Sequence, residues 1–242
     1  MKTIFITGGS TGIGRATVKK FVAEGWNVAF MDVNKPMAES LLAEIGNSEQ
    51  LLFVAGDTRS REDLQKAVAA AVQKFGEVNS VFANAGIHQN NTLLDISEED
   101  LRKIVDINVF GTVYTLKAVL PEIIRTGGGS VVINCSDQWL VGKPSTFAYG
   151  MTKGALGQIT RSLSIDLAKD NVRVNAICPG SIQTPLLEGA MERFAVINNI
   201  TVEQMISQEN SIYARGRMGQ PEEVANLVFF LASDQASFCT GA

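Results

Sequence analysis

One turn near the start of the chain, Thr7-Gly8-Gly9-Ser10-Thr11-Gly12-Ile13-Gly14, constrains the fold more than any other feature. It follows the apolar run Thr3-Ile4-Phe5-Ile6 and precedes a helical pattern over residues 13–24. A short β-branched and aromatic run reads as a buried strand, and a 3.6-residue period reads as a helix. Glycines between the two let backbone N–H groups at the positive helix end approach a pyrophosphate. The spacing is Gly-x-x-x-Gly-x-Gly (Gly8, Gly12, Gly14) rather than Gly-x-Gly-x-x-Gly. Such a turn is a weak signal by itself; the strand before it and the helix after it are the confirming context.

The same alternation continues along the chain. Candidate strands are 3–7, 27–32, 51–55, 78–83, 130–134 and 173–177, all continuous runs rich in Val, Ile and Phe. Continuous apolar strands are expected where a parallel sheet is covered on both faces. Helical patterns lie between them at 13–24, 36–45, 61–75, 101–125, 147–168 and 221–232. Strand–helix alternation of this kind predicts right-handed crossovers and a Rossmann-type α/β fold, a doubly wound parallel sheet flanked by helices on both faces. At 242 residues and 45% hydrophobic, the chain suits a single domain with one large core. Ligands in such sheets bind beyond the carboxyl ends of the strands. Residues 185–215 have the least pattern and read as a mobile substrate-binding cap.

Composition excludes several classes. The formal charge of −4 offers no electrostatic support for binding nucleic acid. No apolar run approaches the roughly 18–20 residues of a membrane helix. The segment before the first glycines is too short for a signal sequence, so the expected location is the cytoplasm. Cys135, Cys178 and Cys239 are odd in number and widely spaced, which fits buried thiols better than a disulfide framework or a zinc site. His88 is the only histidine and cannot build a histidine metal site alone, so no metal is expected.

Asp32 ends the second strand pattern, eighteen residues after Gly14. A carboxylate there can accept both hydroxyls of an adenosine ribose and would repel a 2′-phosphate. Thr11 places no basic residue in the turn, and Lys35 is the one dissenting cation nearby. NAD is therefore expected over NADP. Asp57, after the third strand pattern, either caps a helix or contacts adenine. Asn84-Ala85-Gly86 follows the fourth and is small enough to pack against the cofactor's ribose.

Tyr149 and Lys153 are four residues apart, on one face of the 147–168 helix, and thirteen and seventeen residues after Ser136. A free phenol has a pKa of about 10 and must fall by roughly 2–3 units, about 3–4 kcal/mol, to act as a base near neutral pH. The Lys153 ammonium can supply part of that, and an oxidised nicotinamide more. Ser136, following a strand, can hold and polarise a substrate oxygen. Tyr149 would then transfer the proton while the nicotinamide exchanges hydride.

These elements, with Asn108, Pro179-Gly180 and Thr184, resemble the short-chain dehydrogenase/reductase family in order and spacing over essentially the whole chain. The resemblance implies that Asn108 holds a water in a proton relay from Lys153. It implies that Lys153 bridges the nicotinamide ribose hydroxyls, and that Ile182 and Thr184 hold the carboxamide. It also implies a homotetramer, or a dimer, with the 101–125 and 147–168 helices at one interface. The family pattern continues past Thr240-Gly241 into a final strand, whereas the residues here end at Ala242. Asp137 is the other departure, standing where a small or neutral residue is usual. It could repel acidic substrates or bind a polyol hydroxyl, but an Asx-type turn is the favoured reading. By family position the pocket draws on His88, Gln89, Gln138, Trp139, Phe147 and parts of 186–205. That polar and aromatic mix points to a small oxygenated substrate such as a sugar, polyol or hydroxy-ketone. The expected activity is oxidoreduction of a secondary alcohol or ketone with NAD(H). An NADPH-dependent reductase of 3-oxoacyl thioesters is the alternative.

Overall fold

A computed structural model describes residues 1–46 and 48–242. The described residues form a six-stranded, wholly parallel sheet in the order β3-β2-β1-β4-β5-β6. Its strands are β1 (Thr3–Thr7), β2 (Asn27–Asp32), β3 (Leu51–Ala55), β4 (Ser80–Ala83), β5 (Gly129–Asn134) and β6 (Val172–Ile177). The order reverses between β1 and β4, and the crevice for a ligand opens beyond the carboxyl ends there. Every predicted strand forms, with bounds shifted by at most two residues.

Period-two alternation decides which helices cover which face. Ile4, Ile6, Val28 and Phe30 point to one side, against α1 (Gly12–Ala23), α2 (Lys35–Ile45) and α9 (Pro221–Ala232). Phe5, Met31, Val81, Val131 and Ile133 point to the other, against α3 (Arg61–Phe75), α5 (Gly111–Arg125) and α6 (Phe147–Asp166). Side-chain caps from Asn34 and Ser60 start α2 and α3 by accepting from the first-turn amides.

Three differences from the sequence reading matter for the site. The 101–125 helix begins earlier, as α4 (Glu98–Val105), and passes through a π-helical turn at Asp106–Phe110 before α5. By length and composition the whole run Glu98–Arg125 would satisfy a membrane span, which the sequence reading did not anticipate; here its buried stripe lies against the sheet core. The 185–215 segment is not patternless but forms α7 (Pro185–Asn198) and α8 (Val202–Ile212). Thr184 caps α7, and a reciprocal Thr201–Gln204 capping box starts α8. Along the free edge of β6, Gly241 donates to the Val174 carbonyl and Ala176 donates to the Ala242 carbonyl.

Candidate active site

The glycine turn is held open by conformation and by clamps. Gly8 and Gly12 have φ of +66° and +52°, a region that disfavours side chains, and a Cβ at Gly14 would lie 1.9 Å from the Gly8 carbonyl oxygen. Asn84 Nδ2 donates to the carbonyls of Thr7 and Gly8, and Thr7 Oγ1 accepts from the Asn84 and Ala85 amides. The end of β4 thus fixes the shape of the turn after β1.

A cleft runs from this turn across the switch point, lined by Gly8, Thr11, Gly12, Ile13, Asp32, Asp57, Asn84, Ala85, Gly86 and Thr184. Asp32 accepts from Ser10 N–H (3.0 Å) and Asn34 N–H (2.9 Å), which braces the turn and leaves the carboxylate facing the cleft. Ser10 and Gly14 belong to the turn but do not line the cleft, and Ser10 Oγ is buried with no partner among the described residues. The left-handed glycines, the facing carboxylate and an unsatisfied hydroxyl in the turn fit a dinucleotide. Asp57 does not cap α3, which Ser60 does. Its carboxylate holds Arg59 instead, and that pairing keeps its pKa below the usual carboxylate range. Arg59, absent from the sequence reading, is the one cation lining this cleft among the described residues.

A second cavity of about 560 Å³ joins the first at Gly86, Asn134 and Thr184. Ser136, Tyr149, Lys153, Pro179, Gly180 and Ile182 line it together. Lys153 is buried and donates to the carbonyl of Asn134 (2.7 Å), with its Nζ 5.4 Å from the Tyr149 ring centre. Burial brings Lys153 down to about 8. Burial also pushes the Tyr149 phenol up to about 12, against the opposing pull of the Ser136 hydroxyl. The expected downward shift therefore does not come from the protein alone: removal from water outweighs the pull of the Ser136 hydroxyl, and the nearby Asp137 carboxylate adds to the rise. Asn134, whose side chain also donates to Asn84, is the anchor that sequence reasoning missed.

Asn108 sits in the π-helical turn, buried. Its side chain accepts from Ile87 N–H (2.9 Å) and donates to the Ile87 carbonyl (3.0 Å) and Thr152 Oγ1 (3.1 Å). It is locked to the β4 loop and does not touch Lys153. Ser136 accepts from Gln138 N–H and donates to Asp137 Oδ1 (2.9 Å). Polarising a substrate oxygen requires its hydroxyl to rotate away from that carboxylate.

The polar wall differs most from expectation. Among the described residues the Asp137 side chain forms no Asx turn; Oδ1 accepts a hydrogen bond from Ser136 Oγ and Oδ2 pairs with Lys143 at 3.1 Å. Burial works against the Lys143 charge, but Asp137 outweighs it and holds the lysine above its ordinary range. His88 lines the cavity, its ring 4.7 Å from the Tyr149 ring, and burial followed by the Arg193, Lys143 and Lys153 charges brings it down to about 4. Gln138 also lines the cavity. Trp139 does not: it packs on the buried Gly157 of α6, at the margin of the core, with the Arg161 guanidinium 4.6 Å from its ring. Gln89 is turned toward Asp100, and Phe147 is half exposed outside the cavity. The opposite wall is apolar and comes from the cap, through Leu187, Met191, Phe194, Met205 and Ile212.

Known proteins resemble this chain over nearly its whole length. A family model described as enoyl-(acyl carrier protein) reductase matches residues 8–242. The chain is 38% identical over 243 residues to a 2,5-dichloro-2,5-cyclohexadiene-1,4-diol dehydrogenase of Sphingobium indicum, covering 100% of this chain and 93% of that protein. It is 35% identical to an L-fucose dehydrogenase of Mus musculus, covering 99% and 85%. Among solved structures, a 3-ketoacyl-(acyl-carrier-protein) reductase from Brucella melitensis complexed with NADH superposes with a TM-score of 0.89 at 30% identity, covering 99% of this chain and 94% of that one. With Ser136, Tyr149 and Lys153 gathered at the end of a dinucleotide-shaped cleft, and with likeness of this extent, the chain belongs to the short-chain dehydrogenase/reductase family of oxidoreductases.

Proposed function

We propose that this protein is an NAD-dependent dehydrogenase of secondary alcohols, with the reverse reduction of ketones, acting on small oxygenated molecules. The observation that carries the reading is the meeting of two volumes at Asn134 and Thr184, one faced by Asp32 and the other by Ser136, Tyr149 and Lys153. Bound nicotinamide would supply hydride transfer. The protein's part is to hold the substrate oxygen between Ser136 and Tyr149 and to move a proton at the Tyr149 phenolic oxygen. Lys153 keeps a positive charge behind the phenol, and the Asn134 carbonyl fixes its position. Names of the relatives, a cyclic diol dehydrogenase and a sugar dehydrogenase, support an oxygenated small-molecule substrate.

NAD is the proposed cofactor because Asp32 faces the cleft and Lys35 does not line it. Arg59 favours a second reading, in which it releases Asp57 to take a 2′-phosphate and the enzyme is an NADPH-dependent reductase of 3-oxoacyl thioesters. The deciding experiment is reduced-nicotinamide formation with NAD and, separately, NADP across sugars, polyols, hydroxy acids and simple secondary alcohols. Turnover with NAD supports the proposal. Asp32→Ala should lower the preference for NAD over NADP by at least tenfold; an unchanged preference would refute the assignment to Asp32.

A further inference from the structure

Three charged groups facing the larger cavity have no part in the proton transfer at Tyr149. Asp137 comes from the turn after β5, Lys143 from the loop before α6, and Glu209 from α8 of the cap. Lys143 Nζ stands 3.1 Å from Asp137 Oδ2 and 3.9 Å from Glu209 Oε1, and Glu209 in turn accepts from Ser181 Oγ. Groups of this kind are costly to desolvate, and apolar side chains of the same size would close the wall at less cost. Pinning the cap would account for Glu209 but not for Asp137, whose other oxygen is spent on Ser136. On the same cavity, His88 Nδ1 and Gln138 Oε1 are buried without partners among the described residues. A polar group on a bound molecule would satisfy such atoms.

We propose that Asp137 and Lys143 form a second recognition site beside the reacting oxygen, the carboxylate accepting from and the ammonium donating to a further hydroxyl of the substrate. The substrate class is a neutral diol or polyol with an apolar flank. This rests on the dehydrogenase reading above and deepens it. Two observations fix the class. Asp137 touches Ser136, so the second hydroxyl lies within a few ångströms of the first. The Lys143 charge is already met by two carboxylates, so this subsite offers a substrate anion no unmatched cation, whereas a hydroxyl can both give and take a hydrogen bond. The Leu187, Met191 and Phe194 wall then receives the carbon face. Asp137 and Lys143 are thus specificity-determining residues, distinct in role from Tyr149.

The test compares cyclohexane-1,2-diol, cyclohexane-1,4-diol, cyclohexanol and 3-hydroxybutyrate as substrates of the wild type, Asp137→Asn and Lys143→Met. At least one diol should exceed cyclohexanol in kcat/KM by about tenfold or more, as expected for a hydrogen bond to a charged group. Both variants should shrink that ratio toward one, chiefly through KM for the diol. An equal kcat/KM for diols and cyclohexanol, or a ratio unmoved in both variants, would overturn the recognition site while leaving the dehydrogenase intact. Preference for 3-hydroxybutyrate that vanishes in Lys143→Met would overturn it in favour of an anion anchor. Saturation-transfer NMR on the NADH-loaded protein gives a readout independent of turnover. A diol signal stronger than that of cyclohexanol, and weakened in Asp137→Asn, would support the site even if no alcohol is oxidised and the reaction reading has failed. Equal signals would count against it.

Discussion

The buried ammonium of Lys153 shows how the site sets function against stability. Its folded pKa near 8 is below the ordinary lysine value of 10.5. Below pH 8 both folded and unfolded chains hold this proton, and the full burial cost of about 3 kcal/mol is present. Between pH 8 and 10.5 the unfolded chain binds the proton that the folded one has released, so this group's cost declines as pH rises. Tyr149, raised to about 12, acts in the opposite sense, but only above pH 10. Lys153→Met should therefore abolish most activity yet raise Tm at pH 7 by roughly 4–8 °C, after about 1 kcal/mol is lost at the Asn134 carbonyl. At pH 9.5 only about 1 kcal/mol of the burial cost remains, so most of the gain should disappear; a Tm at or below wild type at pH 7 would show that the ammonium is not under strain. Tyr149→Phe removes the proton donor and should cut kcat by at least about 100-fold, read in single-turnover experiments. At this scale the sequence was informative where chemistry demands a residue type at a fixed spacing, as with Ser136, Tyr149 and Lys153. It was silent where the partner is distant in sequence: Trp139 belongs to Gly157 and Arg161, and Lys153 is held by the carbonyl of Asn134.

Among elements, the cap was the hardest to read. α7 buries only Ala190, Met191 and Ala195, and α8 only Glu209, because much of their apolar surface faces a cavity rather than the core. A helix that lines a void has no strong core stripe, so periodicity fails, although Thr184-Pro185 and Thr201 with Gln204 were available as start signals. The π-helical turn at Asp106–Phe110 was equally hidden, since nothing local marks it. Its effect is visible in Asn108, which ties the turn to Ile87. Asn108→Leu would strand a buried N–H and C=O and should cost about 2–4 kcal/mol in denaturant unfolding, against under 1 kcal/mol if the amide is incidental. Few buried contacts also make the cap the low-stability end of the molecule. Thr184 both caps α7 and lines the cofactor cleft, coupling the two. Saturating NADH should slow amide exchange in α7 and α8 at least tenfold relative to α3. Equal exchange with and without NADH would mean that the cap does not order on binding.

For the molecule as a whole, the fold class was legible because continuous apolar runs, helical periods and right-handed crossovers agree with one another. The quaternary state was legible only through family resemblance, since no local pattern specifies a partner copy. The helices implied in the interface do carry exposed apolar side chains that the monomer leaves uncovered: Ile124 on α5, and Met151 and Ile165 on α6, the last 77% exposed. Large apolar side chains in that state favour burial against a second copy. The expectation is a homotetramer, about four times the 26.0 kDa chain by light scattering, with a dimer as the smaller assembly. Met151→Glu with Ile165→Asp should shift the mass to a lower state by placing like charges face to face across a two-fold interface. The site geometry lies on the other side of α6, where Lys153 meets Asn134, so loss of assembly should appear as faster inactivation on warming before any change in KM. A wild-type mass of one chain, or an unchanged mass in the double variant, would remove these helices from the interface.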